Sequence, residues 1–295
     1  MLKRDNAYVI KQQLASYLGD LKSQQLFICG DHFRFIEGGQ VGSECIVFLH
    51  GTMGNKSQWR GLMQLLSNHY HVIAIDVPGL AVGFKTEEDH YSLTALSNYL
   101  HRFLSHRNIS SLSLVGHSMG ANVACRYAAL NPDRINSLIL SSLAGWEQLF
   151  GQSYWQKFSE FKQMLVFNSL EEFKDLASSL FYQPPYMPKV LLDFRMRDVQ
   201  KHRTQLFKVL DDMQQEFYLL PEDLRSLSCA VLAINGEKDV FVDQAAVKRA
   251  TNNLPGIEIV HFGNCGHVPF LEFPKKTHEV IKNFIVSRTH SLEVL

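Results

Sequence analysis

The chain has 295 residues, enough for one large α/β domain or two smaller ones. Its 29 lysine and arginine residues balance 29 aspartate and glutamate residues, so the net charge is zero. A chain without net charge creates no long-range electrostatic field of one sign. We therefore do not expect it to bind nucleic acid or to be attracted to an anionic membrane. Hydrophobic residues form 46% of the sequence, which is typical of a globular protein with a substantial core.

The first 26 residues lack the apolar stretch of a secretory signal and instead predict an amphipathic N-terminal helical extension, residues 1–26. No apolar run approaches the roughly 18 residues of a membrane span, so we expect no stable membrane insertion. The five cysteines form no C-x-x-C pair, and three are interpreted as small core residues: Cys45, Cys125 and Cys229. We therefore expect a cytoplasmic, reducing compartment, with a monomer and a homodimer both left open.

Short apolar runs recur along the chain and predict strands. Residues 27–36 alternate enough to suggest one strand. The later runs are nearly continuous and cover residues 45–51, 71–79, 111–117, 135–142, 229–236 and 257–263. Runs that are apolar on both faces are typical of parallel strands covered by helices.

Helical patterns lie between these predicted strands. Residues 92–106 carry an apolar stripe behind Ser92, which is a suitable N-cap residue. Residues 119–130 are small and compatible with a helix, and Pro274 can begin another helix near the end of the chain. The alternation of strands and helices predicts an α/β fold with a mostly parallel central sheet flanked by helices.

The alternation stops between residues 145 and 220, where the sequence is rich in helix formers and aromatic residues. We predict that residues 145–220 form a helical cap, inserted into a core made of residues 27–144 and 221–295. Two compatible interpretations remain for this segment. Its helices pack on the body of the protein, and its aromatic underside lines an apolar substrate pocket.

A candidate nucleophile follows the predicted strand 111–117. The residues Gly116-His117-Ser118-Met119-Gly120 fit the pattern G-x-S-x-G between a predicted strand and a predicted helix. A serine on such a tight turn needs small flanking residues, and the helix behind it directs free N–H groups at developing negative charge. Taken alone, the motif also fits a plain strand-to-helix turn.

A nucleophilic serine needs a general base and an acid that orients the base. Asp239 follows the predicted strand 229–236, and His267 follows the predicted strand 257–263. The carboxyl ends of parallel strands converge on one crevice, so we expect both residues to meet Ser118 there. Asp243, four residues after Asp239, is a rival acid.

The segment HGTMGN at residues 50–55 follows the predicted strand at 45–49 and can supply an oxyanion hole. The backbone N–H groups of Thr52 and Met119 are the candidate donors, although His50 and Gly51 also fit a simple turn. The candidate substrate-binding residues are Gly51, His117, Trp146 and Val268.

These motifs together resemble the α/β-hydrolase fold superfamily, in particular its capped esterases and lipases with a serine nucleophile. The resemblance covers about residues 27–287 and rests on HG at 50–51, DVPG at 76–79, GHSMG at 116–120, GEKD at 236–239 and GHVPFLEFP at 266–274. It implies a cap after the sixth strand of the family's sheet. It also implies Ser118 as nucleophile, His267 as general base and Asp239 as its partner.

A complete triad predicts acyl transfer through an acyl-serine, with a carboxylic ester or thioester carrying an apolar moiety as substrate. No cofactor is expected. The nucleotide-binding patterns G-x-G-x-x-G and G-x-x-x-x-G-K-[ST] are absent, and so is the zinc pattern H-E-x-x-H. The resemblance also argues against dehalogenase and epoxide-hydrolase chemistry. Relatives in this fold with those activities generally have an aspartate nucleophile, whereas this chain has a serine at that position.

Three alternatives remain open at this point. Relatives with the same triad hydrolyse carbon–carbon bonds of vinylogous diketones, for which a cap arginine would bind a carboxylate: Arg195, Arg197 or Arg203. The acyl group could also pass to an acceptor other than water. The third alternative, from a different class, is a non-enzymatic relative that binds a ligand.

Overall fold

A mixed β-sheet organises the protein. The structure is a computed structural model and describes residues 21–28, 30–86, 89–151, 155–254 and 256–292. Within these residues the sheet has eight strands, which are β1 (Lys22–Ile28), β2 (Asp31–Gly38), β3 (Cys45–Leu49), β4 (His71–Ile75), β5 (Leu112–His117), β6 (Ile135–Ser141), β7 (Ala230–Gly236) and β8 (Ile257–Phe262).

The strands lie across the sheet in the order β1-β2-β4-β3-β5-β6-β7-β8. Strands β3 to β8 run parallel, whereas β2 runs antiparallel to both β1 and β4. Every residue of β3, β4 and β5 is buried, as expected for parallel strands covered on both faces. The predicted mostly parallel sheet is therefore confirmed.

Helices flank this sheet and fill the connections between its strands. They are α1 (Arg60–Leu66), α2 (Leu93–His106), α3 (Met119–Leu130), α4 (Trp155–Met164), α5 (Leu170–Ser179), α6 (Lys189–Gln214), α7 (Leu220–Ser226), α8 (Gln244–Asn253), α9 (Pro269–Glu272) and α10 (Pro274–Leu292). The predicted N-cap of α2 is confirmed, because the Ser92 hydroxyl accepts a hydrogen bond from the Ala95 N–H at 3.2 Å. In the described part of the chain, no helix is both long and apolar enough to cross a bilayer.

Alternate residues of β3 belong to two separate hydrophobic clusters. Val47 packs in one cluster with Phe103 of α2, and Ile46 and Phe48 pack in the other with the fully buried Trp59. Because successive side chains of a strand point to opposite faces, the sheet has a core on each side. Its carboxyl edge is therefore a rigid base for the loops that follow the strands.

The helical segment after β6 agrees with the predicted position of a cap. Four of the helices, α4, α5, α6 and α7, lie between β6 and β7 in the chain. Apolar residues of α5 and α6 such as Phe173, Leu176, Val199 and Leu206 are buried. The boundaries predicted for the cap, 145 and 220, stay predictions.

The predicted strand over residues 27–36 and the predicted helix over residues 1–26 are both wrong in part. Lys22–Ile28 and Asp31–Gly38 form two antiparallel strands, in which Ile28 pairs with Asp31. Gly30 has a φ of 90° there, a left-handed conformation that glycine adopts without strain and that lets the chain reverse. Residues 22–26 thus belong to β1, and residues 1–20 of the predicted helix lie outside the described residues.

A carboxylate on β2 connects the two neighbouring strands, β1 and β4, with the end of α2. Glu37 accepts hydrogen bonds from His71 of β4 at 2.7 Å, from Arg107 after α2 at 2.7 Å and from Gln24 of β1 at 2.9 Å. The hydrogen bond from His71 is the main cause that lowers the pKa of Glu37 from 4.5 to about 2, and Arg107 lowers it further against the opposing effect of burial.

This lowered pKa predicts a stability contribution with a defined pH window. Its share of the free energy of unfolding is fully present above pH 4.5 and is lost as the pH falls towards about 2. We expect Glu37→Gln to lower the free energy of unfolding at pH 7 by about 1–3 kcal/mol and to flatten its fall in that acid range. Urea unfolding at several pH values checks this. Glu258→Gln, at an exposed carboxylate 3.9 Å from Arg288, is the control and should behave as wild type.

Candidate active site

Ser118 lies on a sharp turn between β5 and α3. Its backbone has φ of 51° and ψ of −123°, a strained conformation for a residue with a side chain. The Ser118 N–H donates to the Ser141 carbonyl of the neighbouring strand β6 at 2.9 Å, which holds the turn on the sheet. The serine is therefore held in the conformation that the G-x-S-x-G pattern predicts.

The two glycines of this motif are required by close backbone contacts. A Cβ atom on Gly120 would lie 2.3 Å from the His50 carbonyl oxygen and 2.8 Å from that of Leu49. A Cβ atom on Gly116 would lie 2.5 Å from the Cα of Ala121. The first turn of α3 is thus pressed against the end of β3, which brings the serine beside the loop that follows β3.

His267 and Asp239 form the hydrogen-bonded pair that the sequence predicts. The His267 Nδ1–H donates to Asp239 Oδ2 at 2.8 Å, and both residues are buried. The other carboxylate oxygen of Asp239 accepts the Phe241 N–H at 2.8 Å. Because an ionised carboxylate only accepts, Nδ1 carries the proton of the neutral ring and Nε2 has the free lone pair.

The loops that carry this pair touch through their backbones. A Cβ atom on Gly236, at the end of β7, would lie 2.0 Å from the carbonyl oxygen of Gly266. Close by, the Lys238 N–H donates to the Cys265 carbonyl at 2.9 Å. The glycine of the GEKD segment therefore allows the close approach of the two loops that carry Asp239 and His267.

Asp243, the rival acid, has a different role in the structure. It caps the N-terminus of α8, where its carboxylate accepts the N–H groups of Ala245 at 2.9 Å and Ala246 at 3.0 Å. The hydrogen bond from Ala246 is the main cause that lowers the pKa of Asp243. Asp239 is thus the aspartate in contact with His267.

The two candidate oxyanion donors lie on the same cavity as Ser118. Thr52 and Met119 both line it, and no hydrogen-bond acceptor within the described residues takes either backbone N–H. The loop around Thr52 is held by hydrogen bonds from the Met53 N–H to the Leu80 carbonyl and from the Gly54 N–H to the Gly51 carbonyl. Two free N–H groups at this position are suited to bind an oxyanion.

His50 is a site residue whose role the sequence did not indicate. It is fully buried, its Nδ1–H donates to the Gly51 carbonyl at 2.8 Å, and its Nε2 accepts the Val77 N–H at 2.9 Å. Burial lowers the pKa of His50 to about 4, so the ring is neutral at pH 7 and keeps both hydrogen bonds. The ring therefore connects the loop that carries Thr52 to the segment after β4. Its signal in the sequence is a histidine directly after a buried strand.

Asp76 of the DVPG segment fixes the far end of the same loop. Its carboxylate accepts hydrogen bonds from the Lys56 backbone N–H and from the Lys56 ammonium group, both at 2.8 Å. Arg34 contributes an ion pair at 3.1 Å. The loop between β3 and α1 is consequently anchored at both of its ends.

Ser118 and His267 open into a cavity of about 690 Å³ under the helical segment. Most of its lining is apolar and comes from both the core and the segment after β6, including Phe158, Phe161, Phe173, Leu176, Phe181, Val199, Phe241 and Leu271. Three predicted substrate-binding residues, Gly51, His117 and Val268, line this cavity. The catalytic candidates thus face an apolar, concave site of the size that holds small ligands.

Trp146, the fourth predicted substrate-binding residue, was predicted wrongly. Its side chain is fully buried in the hydrophobic core and does not line the cavity. The reason is the preceding residue, because Gly145 has a φ of 91° and turns the chain so that Trp146 begins a short 3₁₀ helix packed against α8.

The His267 ring contacts two other rings. Its centroid lies 4.9 Å from that of His117 and 5.0 Å from that of Phe241. Burial is the main cause that holds the pKa of His117 well below its usual value, and the neighbouring His267 lowers it further. His117 is therefore neutral and does not oppose a positive charge on His267.

Charged groups in the cavity come from the helical segment. Arg195 of α6 lines the cavity and donates to the Met53 carbonyl at 2.6 Å. Arg197 instead pairs with Asp193 on the surface, and Arg203 donates to the Phe167 carbonyl. Among the described side chains, no group of three or more histidine, cysteine, aspartate or glutamate residues is placed to hold a metal ion.

A comparison with family models gives a match over residues 44–274, to the family described as alpha/beta hydrolase fold. The chain belongs to the α/β-hydrolase fold family. Its strand order and its serine turn after β5 agree with this membership, and the resemblance inferred from the sequence is confirmed.

Individual members of the α/β-hydrolase fold family resemble the chain over most of its length. Lipase 1 of Psychrobacter immobilis is 26% identical over 90% of this chain and 84% of its own. Monoacylglycerol lipase abhd6-B of Xenopus laevis is 24% identical over 86% of this chain and 79% of its own. The crystal structure of a bacterial membrane phospholipase A has a TM-score of 0.82 at 23% identity, covering 98% of this chain and 94% of that one.

The contact between α3 and β3 predicts a steric test of the site. We expect Gly120→Ala to displace the start of α3 from the His50 carbonyl, lower the free energy of unfolding by about 1–3 kcal/mol and abolish most activity on p-nitrophenyl butyrate. Thermal unfolding and ester hydrolysis measure both effects. Gly61→Ala on α1 is the matched control, because a Cβ atom there meets no atom within 4 Å. Equal activity of the two variants would contradict the steric requirement.

Proposed function

We propose that the protein is a serine hydrolase that cleaves carboxylic esters with an apolar acyl group through an acyl-serine intermediate. The observation that carries this proposal is the Asp239–His267 hydrogen bond at 2.8 Å beside a strained Ser118, on one apolar cavity. Membership in the α/β-hydrolase fold family and relatives named as lipases support it.

Acylation begins with proton transfer from the Ser118 hydroxyl to Nε2 of His267. The Ser118 Oγ attacks the ester carbonyl carbon, and the carbonyl oxygen takes the negative charge between the N–H groups of Thr52 and Met119. Asp239 stabilises the imidazolium, which then donates its proton to the leaving alkoxide. The C–O bond breaks, the alcohol departs and the acyl group stays on Ser118.

Deacylation repeats these steps with water as the nucleophile. His267, neutral again, accepts a proton from water while the hydroxide attacks the acyl carbon. The second oxyanion binds to the same two N–H groups. Collapse of this intermediate returns the proton from His267 to Ser118 Oγ and releases the carboxylic acid. A thioester follows the same route with a thiolate as the leaving group.

The walls of the cavity favour an apolar acyl group over a polar one. Aromatic and aliphatic side chains dominate the lining, whereas its charged groups number few and include Lys157, Glu160 and Arg195. Burial of methylene groups against such walls contributes roughly 0.8 kcal/mol each. The substrate class that fits best is an ester of a medium-length or longer fatty acid.

The triad assignment predicts a burst of p-nitrophenol from p-nitrophenyl butyrate that is lost on substitution. We expect Ser118→Ala and His267→Ala to lower kcat by at least ~10³-fold and Asp239→Asn by a similar factor, since that amide favours the wrong tautomer of His267. Stopped-flow absorbance measures the burst and the steady-state rate. The matched control is Asp243→Asn, which leaves the acid of the pair intact and should keep wild-type kcat. Undiminished activity in Ser118→Ala would contradict the proposal.

The cavity also predicts a preference among esters. We expect kcat/KM to rise about tenfold or more from p-nitrophenyl acetate to the octanoate, because each added methylene group is removed from water in the transition state. A series of p-nitrophenyl esters tests this directly. A profile that is flat or falls with chain length would place the acyl group outside the apolar cavity.

One observation favours a second candidate, a carbon–carbon bond hydrolase. Arg195 lines the cavity without a carboxylate partner among the described residues, so it could receive a carboxylate from a substrate. Turnover of a vinylogous diketone carboxylate, with esters left intact, would support this candidate. Ester turnover alone would exclude it.

We also propose a reducing, cytoplasmic location. The support is the state of the cysteines within the described residues, where Cys45, Cys125, Cys229 and Cys265 are free thiols and three of them are buried. Burial raises the pKa of the Cys45 thiol to about 12, so this thiol is protonated at neutral pH. Subcellular fractionation of the source cells tests this location.

A further inference from the structure

The carboxylate of Glu272, at the end of α9, accepts three backbone N–H groups. They come from two segments that lie far from each other in the sequence. Its Oε1 accepts the Gly266 N–H at 2.7 Å. Its Oε2 accepts the N–H groups of Tyr182 at 2.9 Å and Gln183 at 3.3 Å. Hydrogen bonds to an ionised carboxylate are about twice as strong as those between neutral groups.

One of these segments carries the proposed general base. Gly266 directly precedes His267, and both residues are buried. Without Glu272 the buried Gly266 N–H would lose its acceptor, and such a loss costs about 1–3 kcal/mol. Cys265 also directs its thiol towards Glu272 Oε1 at 3.7 Å. The carboxylate is thus the centre of the hydrogen bonds that hold this loop.

The other segment, residues 180–183, is the first part of the linker between α5 and α6. The Leu180 carbonyl accepts the His267 N–H at 2.8 Å, so linker and loop are also joined directly. A Cβ atom on Gly266 would lie 2.8 Å from backbone atoms of Leu180, Phe181 and Tyr182. Leu180 and Phe181 line the cavity. One wall of the cavity is therefore built on the loop of the general base.

We propose that Glu272 is a positioning residue for His267, which fixes the ring against Asp239 and ties it to the cavity wall formed by residues 180–183. The proposal rests on the proposed function for its effect on rate, whereas the tie between the two segments does not depend on the reaction. Displacement of a catalytic group by about 1 Å can cost on the order of 10²-fold in rate. Glu272 acts through backbone N–H groups, so its effect on His267 depends on its two carboxylate oxygens as acceptors.

Two substitutions remove the acceptor oxygens of Glu272 to different extents. Glu272→Ala removes all acceptors, whereas Glu272→Gln keeps one oxygen and replaces the other with an amide donor that faces N–H groups. With p-nitrophenyl acetate, a short ester, we expect kcat to fall about 10- to 100-fold in the alanine variant and less in the glutamine variant, with KM within about threefold of wild type. Glu258→Ala, at an exposed glutamate of β8, is the control and should keep wild-type kcat.

A double-mutant cycle with His267→Ala distinguishes positioning from general loss of structure. If Glu272 acts through His267, Glu272→Ala should not lower the residual rate of His267→Ala any further. An additive loss, or wild-type kcat in Glu272→Ala, would overturn the proposal. Should the alanine variant fail to fold, the glutamine variant carries the same cycle.

Hydrogen exchange gives a second readout that needs no activity. We expect peptides covering residues 180–183 and 264–267 to lose protection together in Glu272→Ala and to keep it in Glu258→Ala. Unchanged exchange in both segments would contradict the proposed link through Glu272 between residues 180–183 and the loop of His267. A wild-type protein inactive on all esters would contradict the proposed function alone, because the exchange measurement still tests Glu272.

Discussion

The contact between the first turn of α3 and the end of β3 is the constraint on which the site depends. A helix can approach the strand this closely only because Gly120 leaves no Cβ atom in front of the His50 carbonyl oxygen. The approach holds Ser118 at a φ of 51°, where its side chain faces the cavity, and places the Met119 N–H beside the loop of Thr52. One backbone contact therefore sets the positions of the proposed nucleophile and of the proposed oxyanion donors.

The proposed acid and the proposed base are also brought together by a close backbone contact. Gly236 allows the loops after β7 and β8 to touch, and Asp239 and His267 project from those loops into hydrogen-bond distance. Both contacts lie at the carboxyl edge of a sheet whose central strands are fully buried. The packing energy of the sheet is what sustains a strained serine and these close approaches.

Much of this arrangement is predictable from the sequence, because strand ends, glycines and reactive side chains stand next to one another along the chain. The reversal at Gly30 is not predictable in this way, since an alternating pattern continues through a tight hairpin. Trp146 was predicted to line the substrate cavity, but its side chain lies in the hydrophobic core. The left-handed turn at Gly145 directs it there. His50 and Glu272 lie within the HG and GHVPFLEFP motifs. Their hydrogen bonds to Val77 and Tyr182 join residues that are distant in sequence, so the motifs alone do not show these roles.

In the proposed mechanism, Ser118 carries the acyl group during turnover. Wild-type protein mixed with p-nitrophenyl butyrate and quenched in acid within the burst can be digested and its peptides weighed by mass spectrometry. We expect one butyryl group, on the peptide that contains Ser118, and none on that peptide from Ser118→Ala. Release of p-nitrophenol with the butyryl group on another residue, or on none, would contradict the proposed mechanism.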